Sequence, residues 1–225
     1  TLDYGPFGFL DTYNPDFICN HTDSNGRYSF KTQPSVGLWN LNALATSLTT
    51  LLRNDELIGV LKTYEPEFLT QFRSIMASKL GLEEYQPEDE LLINQLLELM
   101  QTNNVDYTIF FRSLGKFSKN NPILRDQFLD RDSFDSWGEK YLQRISQQAT
   151  TDQQLCEKML AANPKYILRN YMAQAAIEQA YQGNYAEVQL LLEVLQNPFD
   201  EHPEAEKYAG LPPDWAEQIS VSCSS

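Results

Sequence analysis

The 225 residues carry 17 Lys and Arg against 31 Asp and Glu, a formal charge of −14, with 42 % hydrophobic and 12 % aromatic content. A chain this long and this apolar buries a sizeable core, which excludes a disordered or low-complexity protein. So negative a surface repels phosphate backbones and anionic lipid, which argues against nucleic acid or a membrane as partner, and no apolar run approaches the ~20 residues of a bilayer span.

Residues 1–34 contain Gly5, Gly8 and Gly26, the prolines Pro6, Pro15 and Pro34, and a Ser24-Asn25-Gly26 turn signal. No apolar spacing of 3.6 lasts two turns there, so an irregular N-terminal loop is expected, of the long kind that usually carries function. From Ser35 the pattern changes. Leu38, Leu41, Leu44, Ala45, Leu48, Leu51 and Leu52 share one helical face behind Pro34. Helices are predicted next over Glu65–Leu80 and Glu88–Thr102, the latter with Pro87 and three acids in its first turn. Asp106–Leu114, Ser133–Gln148 with Ser133 as N-cap, and Thr151–Ala162 follow. Pro164–Gln182 should end at Gly183, and Tyr185–Leu195 should stop before Pro198. No period-2 strand pattern persists. The reading is an all-α body of about eight helices at 35–199, a loop at 1–34 and an extended, Pro-rich tail at 200–225.

Three cysteines make no disulfide scaffold, and a reducing cytoplasm is the default compartment. Cys156 falls in an apolar-periodic stretch and reads as a small buried hydrophobe. Cys19 lies in the loop and Cys223 on the tail; they either pair or remain two thiols. Between Lys79 and Arg112 there are seven acids, Glu83 to Asp106, and no base. That run is either a solvated helix face or an acidic docking surface. Cys19 and His21, with only His202 elsewhere, are too few for a zinc site. No Gly-x-Ser-x-Gly elbow accompanies the two histidines. Lys165 and Arg169, four apart on a predicted helix face, could reach a phosphate or the neighbourhood of Asp3, or pair with the acidic body. Trp39 and the Phe110-Phe111 pair fit a packed core better than a binding box.

The chemistry-bearing element is Asp3-Tyr4-Gly5, a carboxylate beside a glycine at the head of a long loop. Kinases place such an Asp on the metal that bridges nucleotide phosphates, because Mg²⁺ takes hard oxygen ligands. Three residues alone are weak evidence, but their surroundings are specific. Asp3-Tyr4-Gly5-Pro6-Phe7-Gly8-Phe9-Leu10-Asp11 is followed by Phe17-Ile18-Cys19-Asn20-His21, Gly26-Arg27-Tyr28 and Gln33-Pro34-Ser35-Val36-Gly37-Leu38-Trp39-Asn40-Leu41. Asn163-Pro164-Lys165-Tyr166-Ile167-Leu168-Arg169-Asn170-Tyr171, Pro213-Asp214-Trp215 and Ser220-Val221-Ser222-Cys223-Ser224-Ser225 complete the series. In this order these motifs resemble the selenoprotein O family along the whole chain, as the C-terminal portion of a longer protein; the start at Thr1 rather than Met fits a piece of something longer.

The resemblance implies the C-lobe and C-terminal extension of a kinase-like fold, in proteins that transfer AMP, or UMP, from ATP or UTP to Ser, Thr or Tyr hydroxyls of proteins with Mg²⁺ or Mn²⁺. It assigns Asp3 as the metal-binding, nucleotide-contacting residue and residues 4 to about 34 as the activation loop. It gives Cys223 the tail position that is selenocysteine in some members and makes Cys19 its redox-bridge partner. The family's nucleotide-gripping Lys, its Glu partner, its phosphate-contacting Arg residues and its catalytic Asp-Asn pair are expected upstream of Thr1, so no catalytic residue is assigned here. The chain alone is then expected to be inactive, and to self-associate if an apolar wall is left uncovered. A bacterial cytoplasmic location is expected, or a mitochondrial one in a eukaryote. The alternative is a non-catalytic helical interaction module that docks partners on its acidic face.

Overall fold

The computed structural model describes residues 10–19, 22–116 and 122–219. They form an all-α body with no strand among the described residues, in agreement with the class read from the sequence. The helices are α1 Gln33–Ser47, α2 Asn54–Leu61, α3 Tyr64–Lys79, α4 Asp89–Thr102, α5 Tyr107–Leu114, α6 Pro122–Arg125, α7 Arg131–Ile145, α8 Asp152–Ala162, α9 Asn170–Tyr181 and α10 Ala186–Gln196. The described residues thus hold ten α-helices where about eight were expected. The four-residue α6 is a single turn, too short for a period to show. None of the described helices is long and apolar enough to cross a membrane.

Caps decide several boundaries. Asp106 accepts the Ile109 amide at 2.9 Å and starts α5. Asp130, not Ser133, caps α7: it accepts the Ser133 amide at 3.1 Å and the Ser133 hydroxyl at 2.6 Å. Thr151 and Gln154 form a reciprocal capping box on α8. At the end of α3, Gly81 takes φ +70°, and its amide and that of Leu82 reach back to the carbonyls of Ser78 and Ala77. That is a Schellman closure, which favours glycine.

α9 begins six residues later than expected. The amides of Lys165 and Tyr166 both donate to the Pro198 carbonyl, at 2.8 and 3.2 Å, which holds 164–169 extended against the chain after α10. Lys165 and Arg169 therefore do not share a helix face. The tail also departs from expectation: Pro203–Tyr208 and Asp214–Gln218 are 3₁₀ helices, and Ala205 and Tyr208 are buried.

The main core joins the end of α3 to α4, α5, α7 and α8, around Leu80, Leu96, Met100, Phe110, Phe134 and Trp137. Phe110 meets Phe111, Phe128 and Phe134 edge-on, and Trp137 stacks on Tyr141 at 5.0 Å. The buried polar tips are matched: the Trp137 indole donates to Leu92 O at 3.0 Å and the Tyr141 hydroxyl to Leu80 O at 2.9 Å. A second core joins Tyr166, α9, α10 and the tail through Tyr171, Met172, Leu191, Val194 and Tyr208. Arg112 ties the two together. Its guanidinium donates to the carbonyls of Leu160, Asn163 and Phe199 and to Glu201.

α1 and α2 contribute no buried residue, and α3 only Met76 and Ala77. Their apolar faces instead line an open groove of about 620 Å³ walled by Leu44, Leu48, Leu52, Leu57, Leu61 and Phe68. Trp39 is 56 % exposed beneath the Arg27 guanidinium, 4.5 Å from its ring, so its expected place in the core is corrected. Cys156 is half-buried rather than fully enclosed.

Candidate functional site

The loop after the Asp-Tyr-Gly element is docked on the body from Leu10 onward. Leu10 is buried. Thr12 bridges antiparallel to Asp106, the Tyr13 amide donates to Val105 O at 2.9 Å, and the Tyr107 amide donates to Asp11 O at 2.9 Å. Tyr13 stacks on Tyr107 at 5.8 Å and meets Phe30 edge-on at 6.3 Å. The loop is closed at its neck by Phe30 N donating to Phe17 O and Lys31 N to Pro15 O, both at 2.9 Å. Within it, Asp23 accepts the amides of Arg27 and Tyr28, and Gly26 turns the chain at φ +65°. Cys19 sits half-buried in this loop.

Charge at the root of the loop is arranged around Arg169. Its guanidinium holds Asp106 with both terminal nitrogens, at 2.8 and 3.2 Å, and also holds Asp11. Arg169 and Asp106 are each 2 % exposed at the side chain, and Asp11 is 44 % exposed. Burial raises the Asp11 carboxyl above the usual carboxylate range, although Arg169 pulls it down. Beside this triad a cavity of about 210 Å³ lies among Leu10, Phe30, Lys79, Tyr107, Phe111 and Ile167. Lys79 points its ammonium over the rings of Tyr107 and Phe111, at 5.1 and 4.6 Å. Burial lowers its pKa from the ordinary 10.5 to about 8.

The residues singled out from the sequence fare unevenly. Asp3, His21 and Cys223 lie outside the described residues, and with them the metal ligand and the Cys19–Cys223 bridge. Among the described residues no group of three or more His, Cys, Asp or Glu is placed to hold a metal. Lys165 pairs with Glu201 and Glu206, each at 2.5 Å; burial opposes its charge, but these two contacts prevail and raise its pKa. His202 contacts Asn197 O at 3.0 Å and the ring of Tyr166.

Of the seven acids only Asp89 and Asp106 are buried; Glu83, Glu84, Glu88, Glu90 and Glu98 are exposed. Glu83 meets Lys158, Glu90 meets Arg73, the buried Asp89 holds Arg144, and Asp106 holds Arg169. A salt bridge from Arg169 to the acidic body was one of the expectations, and its pair with Asp106 bears that out. Sequence reasoning missed Asp11 as the third member of the triad. Asp11 and Arg169 stand inside the quoted motifs and Asp106 at a helix start, but only the tertiary fold brings the three together.

Comparison with known proteins agrees with this picture. The family model described as protein adenylyltransferase SelO matches residues 1–196. Proteins named protein nucleotidyltransferase YdiU are similar over the whole of this chain, with 48 % identity in Pseudomonas fluorescens, 47 % in Vibrio vulnificus and 46 % in Myxococcus xanthus. The chain spans about half the length of these curated relatives, 47 % of each. With the match reaching from Thr1 through α10, the chain belongs to the SelO family of protein nucleotidyltransferases.

Proposed function

We propose that this chain supplies the C-lobe portion of a SelO-type enzyme that transfers AMP, or UMP, from a nucleoside triphosphate to Ser, Thr or Tyr hydroxyls of proteins. The observation that carries the reading is the family match across residues 1–196, which includes the Asp3-Tyr4-Gly5 element. In this reading Asp3 is a ligand of Mg²⁺ or Mn²⁺, the loop to residue 34 is the activation loop, and Cys19 and Cys223 form a redox bridge that pins the tail over that loop.

Attack of a hydroxyl on the α-phosphorus needs a base for its proton and cations to offset charge on the phosphates. The metal, when bound, supplies part of that charge. Asp3 alone is too few ligands to hold a metal–nucleotide complex, which needs further oxygens in an octahedron. What the described residues contribute is support. The triad and the Tyr13–Tyr107 stack hold the loop root on α5, and Arg112 locks the second core onto the first.

The test joins this chain to the remaining half of the Pseudomonas fluorescens relative and follows labelled AMP and UMP on protein substrates. Transfer is expected from the joined protein and none from the 225 residues alone. Asp3→Ala should abolish it. Full transfer by the Asp3→Ala protein would refute the metal role, and turnover by the isolated chain above a metal-only blank would refute its inactivity.

A further inference from the structure

One guanidinium gathers three stretches far apart in sequence: the loop root at Asp11, the start of α5 at Asp106, and the extended segment before α9 that carries Arg169 itself. Asp106 needs no third partner. It accepts the Ile109 amide and both terminal nitrogens of Arg169, which already makes a neutral, bidentate buried pair. Adding Asp11 leaves the cluster with one net negative charge, a poor choice if stability were the only purpose. Asp11, nearly half exposed, could have stayed in water.

Its recruitment does fix a position. With the Tyr107 amide on the Asp11 carbonyl and the Tyr13 amide on Val105, both the backbone and the side chain of this one residue are held. Asp3 stands eight residues earlier. A chain of that length spans at most roughly 28 Å.

We propose that Arg169 is a positioning residue for the family's nucleotidyl transfer: by binding Asp11 and Asp106 together, it fixes the root of the Asp3 segment against α5. This rests on the reading of Asp3 as the metal ligand. Arg169 touches no reacting atom in this scheme and acts through Asp11 alone.

Two measurements test it, and Asp11→Ala is the variant of choice because it spares the buried Arg169–Asp106 pair. First, hydrogen exchange in this chain should quicken at least tenfold at the Tyr13 and Tyr107 amides, with α4 and α7 amides unchanged. Equal rates in the variant and the parent would overturn the proposal. Second, in the joined full-length protein, Asp11→Ala should shift the Mn²⁺ concentration for half-maximal transfer up about tenfold, with activity restored at saturating Mn²⁺. Arg169→Lys, which keeps the charge and loses the fork, should fall between Asp11→Ala and the parent. Asp3→Ala separates the two readings. If it is inactive at every Mn²⁺ level while Asp11→Ala keeps the parent's midpoint, the positioning role fails and the metal role stands. If Asp3→Ala titrates like the parent, the metal role fails, and with it this one, whatever the exchange rates show.

Discussion

Trp137 and Trp39 belong to helices of equal length and end in opposite surroundings. The first is 2 % exposed in an aromatic stack at the centre of the main core; the second is 56 % exposed under the Arg27 guanidinium. The difference separates two regions. From Met76 onward, apolar faces meet other apolar faces; from Gln33 to Ile75 they meet mainly one another's edges and solvent. Forming a helix is a local matter of spacing and caps, whereas burial needs a partner surface. α1 has the spacing and, among the described residues, lacks the partner.

The largest effect should come from testing that division directly. Trp137→Ala removes a ring packed on Phe110, Phe134 and Tyr141 and the donor to Leu92 O, and should cost about 3–5 kcal/mol. Trp39→Ala should cost about 1–2 kcal/mol, since more than half of its surface stays in water. Urea denaturation followed by circular dichroism reads both. Similar losses for the two would show that α1 is packed in solution against something that supplies a core.

Two glycines sharpen the comparison with smaller numbers. A Cβ at Gly81 would stand 2.4 Å from Leu155 Cδ1 and 2.8 Å from Met159, at a backbone φ of +70°. Gly81→Ala should therefore cost about 2–3 kcal/mol through strain and overpacking of α3 against α8. Gly59, inside α2, meets nothing within 4 Å, so Gly59→Ala should stabilise by about 0.5–1 kcal/mol through helix propensity. Thermal melts of the two variants should move in opposite directions.

How far the sequence could be read follows the same line. α4 was legible because Leu91, Leu92, Leu96, Leu99 and Met100 recur at helical spacing behind Asp89 and Glu90; Leu92, Leu96 and Met100 of these are buried, while Leu91 is exposed. The segment 164–169 was not: Pro164 suits the first turn of a helix, and the contiguous Tyr166, Ile167 and Leu168 have no period of their own. What keeps it extended is the Pro198 carbonyl, more than thirty residues on, together with the ion pairs of Lys165. Likewise Asp89 and Asp106, counted within an acidic run whose other members are exposed, are buried. Their partners Arg144 and Arg169 come from α7 and from the segment before α9, which no local pattern connects to them. The Asp3 and Cys223 assignments came from motif order, which carries family membership without contacts.

Lys79 sits at the seam where α3 passes from the open layer into the core, and its titration gives the smallest and most specific test. Burial holds its pKa near 8 against the ordinary 10.5, and the faces of Tyr107 and Phe111 compensate in part. Below pH 8 the ammonium is charged in both folded and unfolded chains, so its full burial penalty weighs on the fold. Between 8 and 10.5 the unfolded chain keeps a proton that the folded chain releases. Stability should therefore rise with pH across that window. The gap corresponds to at most about 3 kcal/mol, and the open side of the cavity and the two rings bring the expected gain to about 1–2. Lys79→Met should be more stable than the parent at pH 7 by that amount, with the advantage shrinking as pH approaches 9.5. Lys62→Met, on the exposed end of α2, controls for loss of charge. An advantage that stays constant from pH 7 to 9.5 would mean that Lys79 keeps its proton throughout, and that the seam is as wet as the layer before it.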